Sequence, residues 1–288
     1  MARLQDKVAV VTGASRGAGL GIAVVLGEEG ATVYVTGRSS RGGRATEDLP
    51  GTVEEAAEAV TARGGVGIPV RCDHTIDAEV EALFEQIRQE RGRLDLLVNN
   101  VWGGYEQHEH HQFTAPFWEQ PARHWDGMFT AGLRAHLTAT RLALPLMLPA
   151  RSGLIINTTA WDRGKYLGNV YYDVAKAAVN RMAFGLACEL RSHGIAVIAL
   201  APGFMRTERV LAAHRHSPFD LGGTESPEYL GRAVAALASD PEVMRWSGSV
   251  LSVGDRAVEY GFTDVDGRRL PPFSIPDDFY KRYDGTTG

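Results

Sequence analysis

The sequence predicts an α/β fold: a doubly wound parallel sheet of about seven strands with helices on both faces. Three observations predict it. Short β-rich apolar runs alternate with longer helical patterns along the chain. The runs are apolar nearly throughout, as strands covered on both faces are. Most of them end in Gly, Asn, Asp or Thr, the residues that stop strands.

Taken in order, KVAVVTG is the first strand and a helix follows near residues 17–30. ATVYVTG is the second, before a helix near 52–63, and GIPVRCD the third, before a helix near 76–91. LDLLVNN leads to a long helix near 122–149, and GLIINTT to another near 170–193. GIAVIALAPG is the sixth strand; PEYLGRAVAALAS reads as a helix and SGSVLSVG as a seventh strand. In a sheet of this Rossmann type, ligands sit at the carboxyl ends of the strands. Residues 1–266 are expected to form one domain, with a substrate lid at 204–227 and an irregular tail at 267–288 rich in turn formers. A Gly- and Arg-rich loop at 37–51 and an aromatic, His-rich loop at 102–121 also break the alternation.

Composition narrows the function classes. The 288 residues include 44% hydrophobic and 23% charged side chains, as an ordinary globular protein does. A net charge of −5 leaves no electrostatic footprint for nucleic acid or an anionic membrane. Cys72 and Cys188 cannot make a disulfide framework, so both are expected as small core residues in a reducing compartment. The start MARLQDKVAVVTG shows no export leader and no apolar run approaches 18 residues, so a cytoplasmic, soluble protein is expected. The run His108–His111 has no Cys or acidic cluster beside it, and no metal site is expected.

The first strand runs straight into TGASRGAG, with Gly13, Gly17 and Gly19 ahead of a helix. Glycines let the backbone approach a pyrophosphate, and the helix N-terminus offers unpaired N–H groups. Where the second strand ends, a free ribose 2′-hydroxyl usually meets Asp or Glu. Here stand Gly37, Arg38 and Ser39, with Arg41 and Arg44 behind and Arg16 within reach. Guanidinium groups without a carboxylate suit a 2′-phosphate, so NADP(H) is preferred over NAD(H).

The segment NVYYDVAKAA sets two tyrosines before one lysine. On a helix only Tyr172 shares a face with Lys176, because Tyr171 is rotated by about 100°. A phenol with a pKa near 10 exchanges protons poorly at neutral pH. An ammonium ~5 Å away at an effective dielectric of ~20 is worth roughly 3 kcal/mol, or about two pKa units. Tyr172 can then exchange a proton near neutral pH, as general acid–base work requires.

Together TGASRGAG, LVNN and YDVAK resemble the short-chain dehydrogenase/reductase family over roughly residues 5–255. PFWEQPARHWD, GLRAH and SGSVLSVGDRAVEYGFTDVDGRRL resemble one subfamily within it, extending the match to about Leu270. The resemblance implies cofactor contacts at Gly13, Ser15, Arg16, Gly17, Ala18 and Gly19. It implies others at Arg38, Ser39, Asp73, His74 and Asn100, with Asn99 bracing its strand. It adds Tyr172, Lys176, Pro202, Gly203, Met205 and Thr207. The family's catalytic serine, thirteen residues before the tyrosine, falls on Thr159, and Thr158 is the neighbouring candidate. Gly132 stands where many relatives place an asparagine that holds a relay water, and the expectation is that it leaves room for water or backbone. The function implied is an NADPH-dependent oxidoreductase moving hydride between nicotinamide and an apolar ketone or secondary alcohol. Thr159 and Gly132 suggest the alternative, a non-catalytic NADP(H)-binding sensor. Trp102, Trp161, Tyr166, Tyr171, Phe204 and Phe219 are expected around the substrate. Relatives commonly form dimers or tetramers through the two long helices.

Overall fold

The structure, a computed structural model, describes residues 2–43, 49–106, 113 and 115–279. Seven parallel strands form one sheet in the order β3-β2-β1-β4-β5-β6-β7. They are β1 (Val8–Val11), β2 (Thr32–Gly37), β3 (Val66–Arg71), β4 (Leu96–Asn99), β5 (Gly153–Thr158), β6 (Ile195–Ala201) and β7 (Val250–Ser252). Strand order reverses between β1 and β4, whose register pairs Val10 with Leu97, and this reversal opens a crevice at their carboxyl ends. The central strands β1, β4 and β6 are buried at every residue, which explains their unbroken apolar composition. β3 lies at the edge with Pro69 inside it, where a missing N–H costs no ladder bond.

One helix layer holds α1 (Gly17–Glu28), α2 (Val53–Ala62), α8 (Pro227–Ala238) and α9 (Val253–Tyr260), packed on one apolar cluster that includes Val11, Val33, Val98, Ile156 and Ile198. The other holds α3 (Asp77–Glu90), α5 (Ala135–Met147) and α6 (Val170–Leu190), against Val10, Leu97, Ile155 and Val197. α2 begins with a capping box, Thr52 with Glu55.

Four differences from the sequence reading have physical causes. The long helix expected at 122–149 is α4 (Ala122–Met128), a π-helical stretch at Phe129–Arg134 and then α5. The π stretch contains Gly132 and adjoins the crevice, as π-bulges at functional sites do. The seventh strand is short because Ser252 already caps α9, accepting from Asp255 N. Residues 208–216 of the expected lid form a helix, α7 (Glu208–His216). Cys188 is exposed while Cys72 is buried, because the inward stripe of α6 runs through Ala183, Ala187 and Leu190, and residue 188 is turned about 100° from it.

The tail does not hang free over its described part. Ile275 is buried and its N–H donates to Asp162, while Lys165 Nζ bonds Ile275 O at 2.7 Å. Residues 268–279 thus strap the loop between β5 and α6. His108–His111, Arg44 and residues 280–288 lie outside the described residues.

Candidate active site

The phosphate end of the crevice is made of backbone. Gly13 has φ +65°, and a Cβ there would lie 2.8 Å from Val101 Cα. A Cβ on Gly19 would lie 2.3 Å from Gly13 O, so only glycine lets α1 enter this close to β1. Asn100 fixes the turn, with Nδ2 donating to Thr12 O at 2.9 Å and Gly13 O at 3.0 Å. Asn99 braces β4 instead, donating to Thr140 Oγ1 and Asn157 Oδ1. The Gly17 N–H, on the first residue of α1, donates to the Glu208 carboxylate at 2.9 Å. An oxyanion therefore already suits this helix start, beside Ala18, and the cradle fits a pyrophosphate.

At the adenosine end, Arg16 bonds Pro50 O, Gly51 O and the buried Ser39 hydroxyl, so two expected contact residues hold each other. Ser15 is also buried. Arg38 pairs with Glu106 and lies 4.0 Å from Asp73, which itself accepts from Thr75. The Glu106 carboxylate beside Arg38 was not foreseen: an acid in an irregular loop carries no pattern in sequence. His74, expected at the adenine, is turned inward. Its Nε2 lies 2.7 Å from Thr36 Oγ1, and burial pushes its pKa down to about 4. The ring is a floor of the pocket, leaving Asp73 as the side chain of that pair nearer the opening.

The tyrosine–lysine end, expected to transfer a proton, rests on α6. Asn169 caps the helix, accepting from Tyr172 N at 2.9 Å, and is itself tied to Phe113 O and Gln120. Tyr171 points away: its hydroxyl donates to Phe117 O and its ring packs edge-on to Trp125 of α4. Tyr172 stands in an aromatic box of Trp102, Tyr105 and Phe113, with centroids 5.6, 6.3 and 5.6 Å away. Lys176, 7% exposed, sets its Nζ 3.8 Å above the Trp102 ring and 5.6 Å from the Tyr172 ring. Trp102 fits because Gly132 is a glycine; a Cβ there would lie 2.7 Å from the indole Cζ3. The space expected for water or backbone at Gly132 is thus filled by an aromatic ring.

Electrostatics at this end depart from the sequence reading. Burial pulls Lys176 down to about 7, so near neutral pH its charge is only partial. Burial raises Tyr172 well above 10, and its hydrogen bond with the Tyr105 hydroxyl adds to the effect. The expected lowering of Tyr172 by an ammonium fails because the amine faces an indole and is itself desolvated. Tyr172 is held protonated.

Thr159 also differs from expectation. It is buried beside Lys176, but its hydroxyl donates to Asn180 Oδ1 at 2.7 Å and also lies 3.4 Å from Lys176 O. Its proton is spent inside α6, and Tyr105 is the hydroxyl partner of Tyr172 instead. Thr158 reaches only Asn99 O. Asn180 was legible in principle, since 172, 176 and 180 share one helix face. Beneath them His136 bonds Val101 O through Nε2, with burial first and Lys176 second pushing its pKa down to about 3.

The segment Pro202–Thr207 closes the crevice. Met205 bridges Glu225, Glu225 N donates to Phe204 O, and Arg206 N donates to Glu225 O. The Glu225 carboxyl is buried against Gly203, and burial pushes it up to about 8. Thr207 caps α7 through Val210 N. Phe204 packs on Phe219 at 5.9 Å, while Trp161 is exposed.

The comparisons with known proteins agree with this geometry. Residues 7–217 match the family model described as short chain dehydrogenase. Dehydrogenase/reductase SDR family member 1 of Mus musculus is 41% identical over 285 residues, 95% of this chain and 88% of the relative. L-fucose dehydrogenase of Oryctolagus cuniculus is 32% identical over 251 residues, 83% of this chain and 81% of the relative. A crystal structure of a putative dehydrogenase from Xanthomonas campestris superposes with TM-score 0.78 at 27% identity, covering 95% of this chain and 98% of that one. With its glycine cradle, its Tyr172–Lys176 face and these relatives, the chain belongs to the short-chain dehydrogenase/reductase family of NAD(P)-dependent oxidoreductases.

Proposed function

We propose that the protein reduces an apolar, bulky or aromatic ketone with NADPH, or oxidises the corresponding secondary alcohol. The observation that carries this reading is the aromatic box on Tyr172, in which the rings of Trp102, Tyr105 and Phe113 surround a phenol that hydrogen-bonds Tyr105. Such a pocket favours an apolar molecule with one oxygen to orient. Phe204 and Phe219 add apolar surface on the lid side.

Gly13–Gly19 and Asn100 would hold the pyrophosphate part of a nicotinamide dinucleotide and Pro202–Thr207 its nicotinamide end, and the bound cofactor would supply or take up the hydride. Tyr172 gives its proton to the carbonyl oxygen, and its raised pKa keeps that proton in place until the oxygen gains charge. Tyr105, bonded to Tyr172, orients the oxygen, a role the resemblance gave to Thr159. Lys176, with Nζ 5.6 Å from the Tyr172 ring, stands within electrostatic reach of the phenol.

Arg16 and Arg38 at the adenosine ribose support NADPH over NADH, with Glu106 tempering Arg38. Arg38→Asp should reverse the order of affinities; equal binding of both cofactors by the parent protein would sink the preference. Exposed Leu137 on α5 and Val174 and Phe184 on α6 support assembly into a homodimer or homotetramer. Light scattering would count the subunits. No helix among the described residues is long and apolar enough to cross a membrane, and the small cysteine count supports a reducing, cytoplasmic setting.

The experiment is NADPH consumption across a panel of aromatic and polycyclic ketones, small sugars and acyl thioesters. Sugars belong in it because one relative is named for L-fucose. A clear preference for a sugar or thioester would overturn the substrate class and leave the Tyr172 chemistry standing.

A further inference from the structure

Glu208 occupies an unexpected place. An acid in the first turn of a helix ordinarily serves that helix's own dipole. Glu208 opens α7, yet its carboxylate reaches across 191 residues of sequence to accept from Gly17 N at 2.9 Å. The approach is built from both sides. Thr207 caps α7 through Val210 N and fixes where the helix begins. A Cβ placed on Gly17 would lie 3.5 Å from Thr207 Cγ2 and 3.6 Å from Glu208 Oε2, so the lid start lies directly on the start of α1. The first residue of α7 is therefore tied to the phosphate loop, while no residue of α7 is fully buried.

A dinucleotide seated on the glycine loop directs its pyrophosphate at the same helix start. One N–H cannot serve a carboxylate and a phosphate oxygen together, and the two anions repel at this distance. We propose that Glu208 competes with the cofactor's pyrophosphate for the Gly17 N–H. Glu208 then sets cofactor affinity, and dinucleotide binding releases the start of the α7 lid from α1. The start of α7 is thereby coupled to the cofactor by one carboxylate. This rests on the assignment of the glycine loop to a dinucleotide.

ADP-ribose tests the competition, because it carries the pyrophosphate without the nicotinamide. Glu208→Gln keeps the side-chain length and removes the charge. By calorimetric titration it should bind ADP-ribose and NADPH about three- to tenfold more tightly than the parent, with adenosine affinity unchanged. In the unaltered protein, ADP-ribose should speed hydrogen exchange of the amides in residues 208–216. Equal ADP-ribose affinity in parent and variant, an equal gain for adenosine, or unchanged exchange in the unaltered protein would each overturn the competition. Failure of both proteins to bind either ADP-ribose or NADPH would instead remove the dinucleotide reading, and this proposal with it.

Discussion

The two ends of the crevice are built from different parts of the chain. At the glycine-loop end the groups are backbone atoms: a turn at Gly13, the amide of Gly17 and a close approach at Gly19, held by the side chains of Asn100 and Glu208. At the proton-transfer end they are side chains on several elements: Tyr172 and Lys176 from α6, Trp102 and Tyr105 from the stretch after β4, Thr159 after β5. Each end also rests on a buried histidine, His74 below the adenosine side and His136 below the lysine. Backbone geometry tolerates almost any change that adds no atoms and none that does. A side-chain network tolerates added atoms poorly too, but it can also be rewired, and here it has been.

The largest expected effect separates the two ends. Tyr172→Phe removes the transferable proton and keeps the ring, so kcat should fall by about 10³ with cofactor affinity nearly unchanged. Gly19→Val should do the reverse, abolishing measurable cofactor binding, because its Cβ would enter the Gly13 carbonyl. Stopped-flow turnover together with a cofactor titration reads both. If Tyr171→Phe were the inactive variant, the α6 face would be assigned to the wrong tyrosine.

The same contrast explains what sequence revealed. TGASRGAG lies between a strand and a helix, so its local order alone dictates the phosphate cradle. The spacing of Tyr172 and Lys176 was equally local, and the structure keeps both on one face of α6. What surrounds them was not local. Trp102 reaches Lys176 only because Gly132, 30 positions later, lacks a side chain, and that contact spans two elements. The lowered lysine and raised tyrosine follow from burial, which spacing does not report. Glu106 and Glu208 meet Arg38 and Gly17 through loops with no periodicity, so no pattern announced either contact.

The buried histidines give the next effect, on stability. His74 is held neutral with its pKa near 4 and His136 near 3, against about 6.5 in an unfolded chain. Below pH 6.5 the unfolded state therefore binds more protons, and stability falls as pH drops from 6.5 toward 4. The limit is about 1.4 kcal/mol per pH unit for each histidine, or ~3 kcal/mol for His74 over its window. Urea midpoints followed from pH 7 to 4.5 should slope this way, and His74→Gln should flatten the slope by one histidine's share. An unchanged slope would mean the adenosine-side floor is not a neutral histidine.

A smaller effect tests the lysine. Trp102→Ala opens the indole's place to water and relieves the burial that holds Lys176 near 7. Its pKa should climb toward 10.5, so the inflection that Lys176 is expected to give near pH 7 in the kcat/KM profile should move up by about one unit or more. An inflection that stays in place would assign it to a group other than Lys176.

The smallest expected effect decides which hydroxyl serves Tyr172. Thr159→Val is nearly isosteric and removes the proton given to Asn180, leaving that buried amide oxygen without its donor. This should cost about 1–2 kcal/mol of stability and lower kcat only about threefold. Tyr105→Phe removes the hydroxyl bonded to Tyr172 and should lower kcat about tenfold, while lowering the pKa of Tyr172, since Tyr105 helps to raise it. Both variants keep the phosphate end intact, so cofactor affinity serves as the internal control. If Thr159→Val proved the more damaging to kcat, the hydroxyl would have to leave Asn180 during turnover. The serine-like role implied by the thirteen-residue spacing would then return to Thr159, with Tyr105 reduced to a wall of the box.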